Sequence, residues 1–122
     1  MGPEAVDYVS AHAIGSRPND PIEVDVIKNV FGEWTPRVPI SAIKSMLGHT
    51  MGAAGALELV ASALTIHTSM IPPTTNLSIT DRTRGIDFVP DEARHAGVRV
   101  AVSPTFGFGS RNAVLVIKSH EP

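Results

Sequence analysis

Two histidines and a lysine carry the chemistry this sequence offers. His12 follows the strand-like run Val6-Asp7-Tyr8-Val9-Ser10-Ala11, and Lys44 and His49 bracket Ser45-Met46-Leu47-Gly48 after a second β-branched run, Val38 to Ile43. Imidazole and ammonium N–H groups at strand ends can donate to a carbonyl oxygen or to a developing enolate. In Phe106-Gly107-Phe108-Gly109-Ser110, glycines let a backbone N–H come close to an oxyanion. The tiny residues Gly52-Ala53-Ala54-Gly55-Ala56 open a helix whose N-terminal end favours negative charge nearby. Each residue also has a plainer reading. A strand-end histidine is more often a hydrogen-bonded structural residue, a lone lysine packs along a helix, and glycines and phenylalanines of this kind form turns and core. Glu58 lies in an apolar helical stretch, where a buried carboxylate needs a partner, Lys44 or backbone N–H groups. No third ligand accompanies His12 and His49, so no metal site is expected. His67, His95 and His120 fall in polar or terminal stretches and read as surface residues.

The elements that position these groups follow from local pattern. Val6 to Ala11 reads as a buried strand and Ala13 to Asn19 as a loop. Asp20-Pro21-Ile22-Glu23 has the form of a helix start, with Asp20 as cap, Pro21 at the first position and Glu23 closing a capping box. Ile22, Val26, Ile27, Val30 and Phe31 recur at helical spacing, Gly32 is the stop, and Trp34 anchors the surface loop Glu33 to Arg37 by packing. Val38 to Ile43 is a strand. His49 to Ile66 is a helix apolar nearly all round, which predicts burial on every side. Met70-Ile71-Pro72-Pro73-Thr74-Thr75-Asn76 is a Pro-rich turn that must be extended, Thr80 to Gly85 is a polar loop, and Phe88-Val89-Pro90 is a short edge strand. Val98 to Val102 and Ala113 to Ile117 form a hairpin with a wide Gly- and Phe-rich connection. The order βαβαβββ predicts an α/β layered fold.

Composition narrows the class. The chain has 122 residues, 43% hydrophobic and 18% charged, with net charge −2, which fits one globular domain rather than disorder. It shows no basic stripe interleaved with aromatics, so no nucleic-acid partner is expected. It has no apolar run near the roughly 18 residues of a membrane span and no secretory pattern at Met1-Gly2-Pro3-Glu4, so a cytoplasmic location and no membrane partner are expected. The absence of cysteine excludes disulfides and a cysteine nucleophile on this chain.

Taken in order, the stretches resemble one family. They are Val6 to His12, Asn19-Asp20 with Glu23, Lys44 to His49 with Gly52-Ala53-Ala54-Gly55, Ile71-Pro72-Pro73-Thr74, and Phe106-Gly107-Phe108-Gly109 with Asn112. The whole of residues 1–122 is similar to part of the C-terminal domain of type II β-ketoacyl-[acyl carrier protein] synthases, polyketide ketosynthases included. The resemblance implies a segment of a thiolase-like fold, a layered mixed sheet with a buried helix. It implies that the domain's first strand and helix are lacking, and that this strand belongs in the middle of the sheet, leaving a gap for another copy or an N-terminal chain to cover. It implies decarboxylative Claisen condensation, with His12 and His49 stabilising an enolate and Lys44 beside them. Glu58 would be the buried carboxylate, Phe108 the gatekeeper with its oxyanion-hole N–H, and Ser16 a pantetheine contact. The substrates ride on the phosphopantetheine arm of acyl carrier protein, and no other cofactor is needed. The nucleophilic cysteine must come from an N-terminal ketosynthase half. The alternative is a non-catalytic, ketosynthase-like module that self-associates or binds the carrier. Two positions depart from the pattern: Ile14 stands where the family has threonine, and Pro104 where it has asparagine. Both predict a weaker grip on the carrier arm.

Overall fold

The computed structural model describes residues 1–78 and 84–120. Tyr8, Val9 and Ser10 form strand β1 (Tyr8–Ser10), each residue buried. Pairing in parallel with β1 are β2 (Ile40–Ser41) on one side and β5 (Val100–Gly107) on the other. An antiparallel edge strand, β6 (Arg111–Lys118), completes a mixed sheet of order β2-β1-β5-β6. The expected gap in the middle of the sheet is therefore absent. Asp7 N donates to Val100 O at 2.9 Å, and Arg99 N and Val100 N donate to the Asp7 carboxylate at 2.9 Å, so β1 and β5 are direct neighbours. What stands open among the described residues is the far edge of β6.

Side-chain alternation along β1 sends Val9 and Ala11 to one face and Tyr8 to the other. On the first face Val9, Ala11, Val38, Ile40 and Ile86 pack with Val24, Ile27 and Phe31 of helix α1 (Asn19–Phe31). On the second, Tyr8 and Ala101 pack with Ile71, Val89 and Val98. Of the five expected apolar positions of α1, Ile27 and Phe31 face inward, together with Glu23 and Val24, whereas Ile22, Val26 and Val30 are 60%, 44% and 59% exposed. Both stripes repeat every four residues, so periodicity cannot choose between them; the bonds made by Glu23 decide the rotation. The expected capping box is also absent. Helix α1 begins at Asn19 after Pro18 without a side-chain cap, and Asp20 instead accepts from Gly15 N and Ser16 N, each at 3.0 Å. Gly32, at φ 52°, ends the helix as expected.

Gly32–Arg37 winds into a 3₁₀ helix rather than an open loop, Trp34 packs on the core, and the Arg37 guanidinium lies 4.7 Å from its ring centroid. The second strand is shorter than Val38 to Ile43 because the chain turns at once into helix α2 (Lys44–Leu47), with Ser45 N donating to Ala42 O. Helix α3 (Ala54–Thr68) starts later than His49, after a 3₁₀ turn, Met51–Ala53. It is not buried all round: Ala54, Glu58, Ser62 and Thr65 face inward, while Leu57, Leu59, Val60 and Leu64 are 38%, 42%, 56% and 55% exposed. An apolar circumference is buried only if something packs on both sides, and the described residues cover one.

Met70 and Ile71 were expected as an extended turn and form β3 (Met70–Ile71), antiparallel to β4 (Arg94–His95). Phe88 to Pro90 is no strand; one bridge, Thr74 to Pro90, ties it down, and Val89 is fully buried. The hairpin is tighter than expected, because the ladder runs on to Gly107 opposite Arg111. Only Phe108-Gly109-Ser110 is left as the turn, with Gly109 at φ 73° and Ser110 at φ 60°. The polar loop from Thr80 to Gly85 lies, apart from Arg84 and Gly85, outside the described residues. No helix among the described residues is long and apolar enough to cross a membrane.

Candidate functional site

Lys44 is the hub. Placed at the start of α2 and 8% exposed, it donates from Nζ to the His12 carbonyl oxygen at 2.6 Å and forms an ion pair with Glu58 of α3. Glu58 is fully buried, and its second carboxylate oxygen accepts from Thr105 Oγ1 of β5 at 3.2 Å. A buried carboxylate held by an ammonium and a hydroxyl is a satisfied one, so the partner expected for Glu58 is in place.

Lys44 Nζ also lies 3.4 Å from His12 Nδ1. An ammonium can only donate, so this contact assigns Nδ1 as the acceptor and leaves the ring proton on Nε2. Burial holds the His12 imidazole below its ordinary pKa, the charges of Lys44 and His49 push the same way, and Asp20 opposes them. At neutral pH, His12 is thus a neutral ring with one N–H to give. The His49 ring, on the exposed segment after α2, stands 5.8 Å from the His12 ring, centroid to centroid, at 85°. On its other side His12 meets Phe106 of β5, edge-on at 5.6 Å.

The backbone under His12 is held from α1. The Glu23 carboxylate accepts from His12 N and Ala13 N, both at 2.7 Å. Burial pushes the Glu23 carboxyl above its usual range, against the pull of these two N–H groups. His12, Lys44, His49 and Glu58 therefore come together from the ends of β1 and β2 and from α3. Two expected residues stay apart from them. Phe108 sits in the hairpin turn and is 95% exposed. Ser16 spends its backbone on α1, through Asp20, and lines with Glu23 and Lys44 a cleft of about 600 Å³, whose described lining includes neither His12 nor His49. His67, His95 and His120 are exposed, as expected.

Residues 1–78 match the model of the family described as "Beta-ketoacyl synthase, C-terminal domain". The chain belongs to the β-ketoacyl synthase family. It is 44% identical over 117 residues to the 3-oxoacyl-[acyl-carrier-protein] synthase 2 of Coxiella burnetii, covering 96% of this chain and 28% of that protein. Among solved structures it is similar to the ishigamide ketosynthase/chain length factor, at TM-score 0.92 and 39% identity over 99% of this chain and 30% of that one. It is similar also to a ketosynthase bound to the hexaketide in complex with its type II polyketide acyl-carrier protein, at TM-score 0.93 and 33% identity over 99% of this chain and 30% of that one. The fold is thus that of a segment of these α/β ketosynthases, and the chain spans less than a third of the relatives it matches.

In this ketosynthase segment, three residues around the histidine pair escaped sequence reasoning. Glu23 looked like part of a capping box because it stands three residues after Asp20; the missed signal is that it shares a stripe with Ile27 and Phe31. Phe106 opens the Gly- and Phe-rich stretch that the sequence marks, but only the structure shows that its ring flanks His12. Thr105 had no signal, since only the packing of α3 on β5 places it beside Glu58. Of the two departures, Ile14 is 37% exposed. Pro104 is buried in β5 opposite Val114, beyond the Ala101 and Val102 positions that pair with β1, so the N–H it lacks interrupts no registered pair with β1.

Proposed function

We propose that this chain supplies the His12, His49 and Lys44 half of the site in a β-ketoacyl-acyl carrier protein synthase. The reaction is decarboxylative Claisen condensation of malonyl-carrier protein with an acyl thioester, in fatty acid or polyketide synthesis. The observation that carries this reading is the pair of imidazole rings 5.8 Å apart, one of them held neutral above the buried Lys44–Glu58 pair. A thioester oxygen between two ring N–H donors gains hydrogen bonds as it becomes an enolate oxygen, which lowers the barrier to losing carbon dioxide. The bond from the malonyl methylene to its carboxylate breaks and carbon dioxide leaves. The electron pair passes into the enolate, whose carbon then attacks the acyl thioester carbon and expels the cysteine thiolate.

That thiolate comes from an N-terminal ketosynthase half, as a partner chain or a neighbouring segment, because this sequence has no cysteine and cannot form an acyl-enzyme. Lys44 donates to His12 and balances Glu58. Phe108, on its exposed turn, serves as gatekeeper and as a backbone N–H donor to the oxyanion. Ser16 offers a hydroxyl to the pantetheine arm, and acyl carrier protein is the partner that brings the arm. No further cofactor takes part. The solved ketosynthase in complex with its carrier protein supports that choice of partner.

A second reading is favoured by the exposed Leu57, Val60 and Leu64 on α3: a non-catalytic module that pairs with itself or docks a carrier. Purification of the tagged protein from its host, with intact masses of what accompanies it, separates the two. Recovery of a cysteine-bearing ketosynthase half supports the enzyme. Recovery of self-oligomers alone supports the module.

A further inference from the structure

The turn after His12 is bent in a way its sequence resists. Ala13 has φ 25°, on the left-handed side of the backbone map, where a Cβ crowds the chain and glycine is the residue of choice. Nothing in the loop itself relieves that cost. The relief comes from α1, whose first turns give up two carboxylates to the loop: Asp20 takes the N–H groups of Gly15 and Ser16, and Glu23 those of His12 and Ala13. Glu23 is 7% exposed and its two bonds, at 2.7 Å, are the shortest of the four. The same peptide carries the His12 carbonyl that Lys44 holds at 2.6 Å, so the backbone of His12 is gripped from both sides of the sheet.

We infer that Glu23 is a positioning residue for His12: its carboxylate clamps the strained His12–Ala13 turn, and the alanine at position 13 makes the aim of the imidazole depend on that clamp. Charge-assisted bonds from a buried carboxylate are strong enough to hold a backbone off its preferred minimum. Without the clamp, Ala13 relaxes toward negative φ, the His12 peptide rotates, and the ring leaves its place beside Lys44 and His49. Glycine at position 13 would occupy the same backbone without strain, so the need for Glu23 is conditional on the residue that follows the histidine. The inference rests on the proposed enolate-stabilising role of His12 for its consequence in catalysis, and on geometry alone for the clamp.

The test uses the assembled synthase, with the cysteine-bearing half present, in four forms: unaltered, Glu23→Gln, Ala13→Gly, and both changes together. Glutamine keeps the shape and one acceptor but turns an NH2 toward an N–H donor. Malonyl decarboxylation in Glu23→Gln is expected to fall about 10- to 100-fold in kcat, the scale of a misaimed catalytic group, with KM changed far less. Adding Ala13→Gly is expected to restore most of the loss, and Ala13→Gly alone to keep near-original activity. The second readout is the His12 ring itself, followed by NMR of labelled histidine. Its titration is expected to rise toward the ordinary histidine range in Glu23→Gln, as the ring leaves its buried place and the charges of Lys44 and His49, with Asp20 the acid that opposes them, and to return in the double variant. If Glu23→Gln does not fold, Glu23→Asp, one methylene short, is read in the same way. Full activity in the Glu23 variant, or a loss that glycine at position 13 does not reverse, overturns the inference. An unaltered synthase with no decarboxylation sinks the functional reading instead, and the His12 titration still decides the clamp.

Discussion

The two long helices meet the sheet on opposite terms. Helix α1 lays Val24, Ile27 and Phe31 onto Val9, Ala11 and Ile40, the ordinary bargain in which apolar area leaves water. Helix α3 turns its small and polar residues, Ala54, Glu58, Ser62 and Thr65, toward β5 and leaves its leucines and Val60 outside. The α1 side is an apolar core with one inward charge, whereas the α3 side combines a smaller core around Tyr8, Ile71 and Val89 with the charged Lys44–Glu58 pair and leaves an apolar outer helix face exposed. The contrast teaches that polarity alone does not say which way a helix faces. On α3 the inward face is chosen by the Lys44–Glu58 pair, and on α1 the single inward charge, Glu23, is chosen by the His12–Ala13 turn.

The contrast can be broken or sharpened by substitution, starting with the largest effects. Phe31→Ala on α1 is expected to cost about 3–5 kcal/mol by chemical denaturation, as a buried ring replaced by a cavity; a cost under about 1 kcal/mol would mean that α1 is no core helix. Glu58→Ala is expected to cost about 3–5 kcal/mol for another reason, since it strands the buried Lys44 charge. Replacing both partners, Lys44→Met with Glu58→Leu, should recover most of that stability while leaving the chain unable to place His12. Recovery of decarboxylation in the double variant would contradict the role given to Lys44.

The pH dependence comes next. His12 is held below its ordinary pKa in the folded chain, so between that lowered value and about 6.5 the unfolded chain binds more protons than the folded one. Its contribution is therefore fully present above pH about 6.5 and is lost as pH falls toward the folded value. His12→Gln should flatten that part of the stability curve; an unchanged slope would show that His12 is not the group responsible. Val60→Ala, 56% exposed on the outer face of α3, is expected to move stability by no more than about 0.5 kcal/mol in the chain by itself. Once a second ketosynthase half covers that face, the same change should cost more, and equal costs in both settings would remove α3 from the interface. Comparably small is Asp87→Asn. Its bidentate partner Arg94 holds the Asp87 carboxyl below the usual range, but the pair is partly exposed and is expected to contribute about 0–1 kcal/mol, less in high salt.

Much of the site could be read in the sequence because its residues sit in short stretches with strong local signals. His12 ends a strand, Lys44 and His49 flank a short turn, and Glu58 is conspicuous as a carboxylate among apolar neighbours. The fold class followed from the alternation of strands and helices. The facing of the helices followed only in part: Ile27 and Phe31 of α1 were legible, but Ile22–Val26–Val30 has the same spacing as Glu23–Ile27–Phe31, and long-range bonds prefer the second. The short pairing of Met70 with His95 was hidden by the distance along the chain between them. Phe106 and Phe108 stand only two residues apart, and which of them meets His12 depends on a ladder that keeps Phe106 in β5 and ends at Gly107 opposite Arg111, leaving Phe108 to the turn. The direct pairing of β1 with β5 overturned an inference about what the sheet lacked, and moved the open edge to β6.

The central claim is that the two imidazoles stabilise the enolate formed when malonyl thioester loses carbon dioxide. The most direct measurement is release of carbon dioxide from malonyl-carrier protein by the synthase assembled with its cysteine-bearing half, compared with the same assembly carrying His49→Ala. His49 is exposed and outside both core clusters, so the variant should assemble and melt as the original does. Loss of carbon dioxide release by about 100-fold or more is the predicted result, the scale of removing one donor to a developing oxyanion. Undiminished release from an intact His49→Ala assembly would contradict the account.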